Sequence, residues 1–169
     1  VKASFNMSEE LAFAWNLMEA GELTQEEYAG VVQDLTEMSA SESDSTVSVL
    51  HVLESRAFKN LDKILVHVSN SCEAPIINLS SFEINADNFE LIPREFILKC
   101  GAIVFEFLGR DALVAVLNPY NNQLKKDVEE ILGRKCHFFV CRASDFDNAV
   151  LKGAEAIADR ELGEEQEEE

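Results

Sequence analysis

The chain has 169 residues, 47% of them apolar and 27% charged, which is enough to bury a core and too apolar to stay unfolded. Against 14 Lys and Arg stand 32 Asp and Glu, a net charge of −18, so nucleic acid and anionic lipid surfaces are excluded as first-choice partners. No run approaches the roughly 18 apolar residues needed to span a bilayer. The opening VKASFNMSEE also lacks the charged-then-apolar layout of a secretory signal, so the expected location is the cytoplasm, with no direct membrane insertion.

The acidity is uneven. Residues 1–45 carry 1 basic and 10 acidic side chains, residues 159–169 carry 1 and 7, and residues 46–158 carry 12 and 15. Ser8 is the expected cap of a first helix, with Glu9 and Glu10 at its positive dipole end. Leu11, Trp15 and Met18 recur on one face of it, and Gly21 stops it. Thr24 and Glu27 form a capping box for a second helix whose apolar stripe is Tyr28, Val31, Val32 and Leu35. The short connection folds the two helices into an antiparallel hairpin. The segment 39–45, SASESDS, reads as a linker. After it, VSVLHVLESRAF and NLDKILVHV repeat the arrangement, with Asn60 as the expected second cap, and Pro75 closes a helical part over residues 1–75.

The pattern then changes. IINL after Pro75 reads as a short strand or extended segment, and Pro93 stands at a helix start, where a missing N–H does no harm. AIVFEFL (102–108), the turn at 109–111 and ALVAVL (112–117) predict a β-hairpin. A loop from Asn118, an amphipathic helix over 123–132 stopped by Gly133, the strand KCHFFVC and a last helix opened by Ser144 and Asp147 follow. The expected fold class is α+β: N-terminal helical hairpins, then a small α-β-β-α-β-α domain over 76–158 with a three-stranded sheet. The end, residues 159–169, is expected to be a disordered acidic tail, because its glutamates repel one another.

Sites of chemistry are sparse. Cys72 and Cys100 are isolated, while Cys136 and Cys141 lie an odd number apart on a strand and point to opposite faces, so core thiols explain all four better than a metal or disulfide. His51, His67 and His137 have no acidic or thiol partner at ligand spacing. Asp145 and Asp147 fit helix capping better than a catalytic carboxylate pair. The pattern G-x-x-x-x-G-K-[ST] is absent, as are G-x-S-x-G and H-E-x-x-H, and the reading is a protein that is not an enzyme, with no catalytic, cofactor or metal residues.

Ile92-Pro93 before a helix, Asn118-Pro119 after the hairpin, Leu132-Gly133 at a helix end and the strand to Cys141 occur in an order that resembles the N-terminal domain of type II secretion and type IV pilus assembly ATPases (the general secretory pathway protein E N-terminal domain family). The segment LMEAGELTQEEYAGVVQDL resembles that family's helical repeat, and the likeness covers about residues 10–158. In part of the family such repeats bind cyclic di-GMP through an Arg-Leu-Gly opening and a closing Gln. Aligned on Gly21, these places hold Ala12-Phe13-Ala14 and Leu35, while Leu17, Met18, Leu23, Tyr28 and Val32 keep the apolar framework; in the second repeat Arg56 or Ala57 stands near the turn glycine's place. The arginine is missing, so cyclic di-GMP is not the expected ligand.

The resemblance implies a non-catalytic adaptor that docks a protein partner, the cytoplasmic domain of an inner-membrane secretion or pilus component. It is either an excised N-terminal region or a free-standing protein, and the acidic tail leans towards the second. The alternative is a cyclic dinucleotide sensor with a degenerate motif. Leu11, Trp15, Met18 and Tyr28 on the first hairpin are the candidate partner-binding residues, with Trp15 at the centre because tryptophan is enriched in binding hot spots. Its helical spacing with Leu11 and Met18, however, suits a core position better than a binding one.

Overall fold

Asn6 rather than Ser8 caps the first helix, α1 (Met7–Glu19): its side chain accepts the Glu9 N–H at 3.2 Å, and the Ser8 hydroxyl donates to it at 2.8 Å. Ser8 therefore supports the cap from inside the first turn. In this computed structural model, which describes residues 1–41 and 43–168, Gly21 turns the chain at φ +78° into α2 (Gln25–Ala40). The Thr24–Glu27 capping box forms in both directions, at 3.1 and 2.9 Å. The expected linker 39–45 starts later than its composition suggests, because α2 runs on to Ala40; Glu42 lies outside the described residues.

The second helix pair is α3 (Val49–Ser55) and α4 (Leu61–Cys72). It is less equal to the first than expected, since α3 has 7 residues where α1 has 13. Ala57 makes its turn at φ +50°, the left-handed conformation that Gly21 supplies in the first pair. Asn60 precedes α4 but makes no side-chain cap, its backbone being at φ −98°, ψ 21° rather than extended. Beyond Pro75 the expected strand shrinks to a single parallel bridge from Ile76 to Val140, followed by a 3₁₀ turn at Leu79–Ser81.

The remaining elements are α5 (Ala86–Phe89), α6 (Arg94–Cys100), β1 (Ala102–Leu108), β2 (Asp111–Val116), α7 (Asn122–Leu132), β3 (Cys136–Val140) and α8 (Ala143–Glu168). The fold class is the mixed α+β one expected. β1 and β2 pair antiparallel, with a register shift between Val104 and Glu106, and β3 adds parallel to β2, giving the order β1-β2-β3. Parallel addition needs a crossover, and α7 supplies it. Asn121 caps α7 through the Leu124 N–H, and Gly133 closes it at φ +63°.

One contiguous core runs through both halves, from Phe13 and Leu17 through Ile64 to Phe105, Val140 and Phe146. Phe13 of α1 meets Tyr120 edge-on with centroids 5.2 Å apart, and the Asn118 amide donates to the Glu9 carbonyl at 3.2 Å. Position 75 is thus a change of architecture within a shared core.

Residues 159–168, expected to be disordered, continue α8. Glu, Arg, Leu and Gln are good helix formers, and Arg160 anchors this stretch to α5 through Glu90 and, at 3.3 Å, Asp87. The last residue, Glu169, lies outside the described residues.

Candidate functional site

The face of α1 that enters the core is Glu10, Phe13, Ala14 and Leu17. The stripe Leu11, Trp15 and Met18 is rotated away from it by about one residue's 100° step. Leu11 and Met18 therefore lie half-buried along the core's margin, and Trp15 remains 49% exposed. The core reading of Trp15 is corrected here: Phe13 and Leu17, with Leu35 of α2, fill the space between the helices, leaving the indole outside.

The indole is nonetheless held. Tyr28, placed by the capping box at the start of α2, meets it edge-on with centroids 5.5 Å apart and an interplanar angle of 78°. A shallow depression of about 670 Å³ lies over this pair, lined by Leu11, Ala12, Trp15, Asn16, Glu19 and Tyr28 among others. The structure thus brings Leu11, Trp15 and Tyr28 together, while Met18 stays outside the depression. Among the described residues no Lys or Arg lines it, and Glu19 does.

The places at which a cyclic di-GMP motif would be expected are also visible. Phe13, Ala14 and Leu35 are fully buried in the core, and Ala12 alone faces the depression. The nearest candidate guanidinium by sequence, Arg56, is committed elsewhere: it donates to Asp34 at 2.7 Å and to the Gly30 carbonyl at 3.2 Å. That hydrogen bond holds the Asp34 carboxyl below its ordinary range.

The cysteines and histidines lie apart from this shelf. All four thiols are free; burial pushes Cys136 up to about 11 and Cys141 further, so neither supplies a thiolate near neutral pH. Among the described residues no three His, Cys, Asp or Glu side chains converge to hold a metal. Tertiary structure does give two histidines the acidic partners that their sequence neighbours lack: His51 Nε2 lies 2.8 Å from Asp147, and His137 Nε2 lies 2.9 Å from Asp111. The first pair is 96 residues apart, so no local spacing signals it. Among the described residues no helix is long and apolar enough to cross a membrane.

Residues 72–152 match the family model of the MshEN domain. Solved structures share the fold: MshE with cdg, 17% identical over 82% of this chain and 95% of that one, at a TM-score of 0.53, and the N-terminal domain of XpsE, 12% identical over 85% and 95%, at 0.52. A second crystal form of the XpsE domain matches over 90% and 97% at a TM-score of 0.50, again with 12% identity. No curated protein matches the chain. The resemblance to secretion and pilus ATPase N-terminal domains drawn from the residue order therefore holds.

Proposed function

We propose that the chain is a non-catalytic docking module, acting in the cytoplasm, which receives the cytoplasmic domain of an inner-membrane component of a secretion or pilus machine on the Leu11–Trp15–Tyr28 shelf, with Met18 as its buttress. The observation that carries this reading is the half-exposed Trp15, fixed edge-on by Tyr28. A rigid aromatic of that size gains contact area on binding at little entropic cost, and a surface with 10 acids and 1 base over residues 1–45 steers a basic partner. In the same reading residues 1–75 form the docking half and residues 76–158 the scaffold beneath it.

Trp15 is the sole tryptophan, so its fluorescence reports on the shelf alone. Titration with a purified cytoplasmic domain of such a component is expected to change the emission saturably, and more weakly as salt rises. Trp15→Ala is expected to weaken capture about thirtyfold, the scale of a hot-spot truncation. Capture indifferent to Trp15→Ala overturns the assignment of the shelf.

A second reading, a cyclic dinucleotide sensor, is favoured by the fold shared with MshE, which was solved with cdg, cyclic di-GMP. Ala12, Phe13, Ala14 and Leu35 stand against it, since they offer neither a guanidinium nor a free amide. Calorimetry with cyclic di-GMP separates the two: a saturable isotherm at micromolar affinity or better selects the sensor.

A further inference from the structure

A second cavity, of about 560 Å³, opens where the segment before α3 meets α3, α6 and α8. Its apolar wall is Met38, Leu98 and Val150, contributed by three different helices and each left partly exposed. Its rim is acidic, with Asp44, Glu54 and Asp147, and no Lys or Arg lines it among the described residues.

The two helix-borne carboxylates are fixed in place. Glu54 accepts both the Ser144 N–H, at 3.1 Å, and the Ser144 hydroxyl, at 2.8 Å. Asp147 Oδ1 lies 2.8 Å from His51 Nε2, and His51 Nδ1 lies 2.7 Å from Ser48 Oγ. A carboxylate only accepts, so Nε2 carries the proton that bonds Asp147, and the other ring nitrogen is held by the Ser48 hydroxyl. Ser48 is buried and also caps α3, which makes this chain a strut that aims Asp147 rather than a nucleophile relay. The Asp147 side chain is 54% exposed, with one oxygen committed to His51.

The size suits a small ligand, and the lining selects its chemistry. A phosphate or carboxylate head would meet three carboxylates. An alkyl chain ending in a cation instead lays its carbons on Met38, Leu98 and Val150 and its head between Asp44 and Asp147. We propose that this cleft binds an aliphatic chain that ends in an ammonium or guanidinium group. The site is separate from the Trp15 shelf, and neither assignment depends on the other. The same chemistry reaches it as a free amine or as a Lys or Arg side chain of a polypeptide.

The test titrates the full chain with hexylammonium, hexanoate and hexanol while following the methyl resonances of Met38, Leu98 and Val150. Hexylammonium is expected to shift all three saturably, with hexanoate at least about tenfold weaker. Asp147→Asn, whose amide oxygen still accepts from His51, is expected to weaken hexylammonium about fivefold, the scale of one solvent-exposed ion pair. If that variant folds poorly, Asp44→Asn in the exposed segment before α3 makes the same measurement. A capped Leu-Lys-Leu-Leu peptide that binds tighter than hexylammonium identifies a polypeptide source, and one that binds more weakly identifies a free amine. Equal shifts from hexanol and hexylammonium, no saturable shift from either hexylammonium or the lysine peptide, or an affinity unchanged in the Asp variants overturns the proposal.

Discussion

The Glu10 carboxyl lies buried against the start of α3, where it accepts the Val49 N–H at 3.3 Å across 39 residues of sequence. Burial pushes its pKa up from 4.5 to about 8; the Val49 hydrogen bond opposes the shift and the neighbouring Glu9 adds to it. An acid of this kind sits in the first helix with nothing in its local sequence to distinguish it from Glu9.

The pH dependence follows in sign. Between pH 4.5 and about 8 the unfolded chain has lost the Glu10 proton while the folded chain keeps it, so this group's contribution to stability falls as pH rises through that window and levels off above it. Glu10→Gln keeps an acceptor for Val49 and removes the charge. It is expected to stabilise the fold by a few kcal/mol at pH 9 and hardly at all at pH 4.5, measured by urea denaturation at both pH values. A difference between variant and parent that does not grow with pH contradicts the assignment.

Gly153 is where α8 rests on α5. A Cβ there would come within 2.3 Å of the Phe89 ring, which is itself buried. Ala normally gains about 0.8–1 kcal/mol over Gly inside a helix. Here the overlap is expected to outweigh that gain, so that Gly153→Ala destabilises by about 1–3 kcal/mol, read as a lower denaturation midpoint. A midpoint that rises would mean the two helices are not in contact at this point.

Rebuilding the dinucleotide motif is expected to fail at its closing position. Leu35 is fully buried among the α1 and α2 side chains, and Leu35→Gln places an amide there at a cost of about 2–4 kcal/mol. Ala12→Arg, on an exposed position, is expected to leave stability nearly unchanged. Thermal melts of the two single variants check this ordering.

Limited proteolysis is expected to cut first between Ser41 and Ser45, the exposed stretch that follows α2, with Glu42 itself outside the described residues. The fragments are expected to stay together on a sizing column, because Phe13 remains packed on Tyr120 and Glu10 still accepts from Val49 across the cut. Fragments that separate under native conditions would contradict this packing of α1 and α2 on the rest of the chain.

Local chemistry was readable from the sequence wherever a few neighbouring residues decide it. The Thr24–Glu27 box, the Gly21 turn and the Gly133 stop each rest on contacts within about four residues, the 102–117 hairpin starts from the equally short Leu108–Asp111 turn, and each lies where the sequence places it. Helical spacing also located the Leu11–Trp15–Met18 stripe, and the order of elements carried the family resemblance. Which stripe of α1 turns inward was a tertiary decision: Phe13, Ala14 and Leu17 compete with Leu11, Trp15 and Met18 for one interface, and Phe13 has Tyr120 to pack against. The same holds for the burial of Glu10, the His51–Asp147 pair and the Arg160–Glu90 anchor that carries α8 through the glutamates. Each joins residues 39 to 96 positions apart. Sequence periodicity repeats every two or 3.6 residues and carries no information on partners at that range.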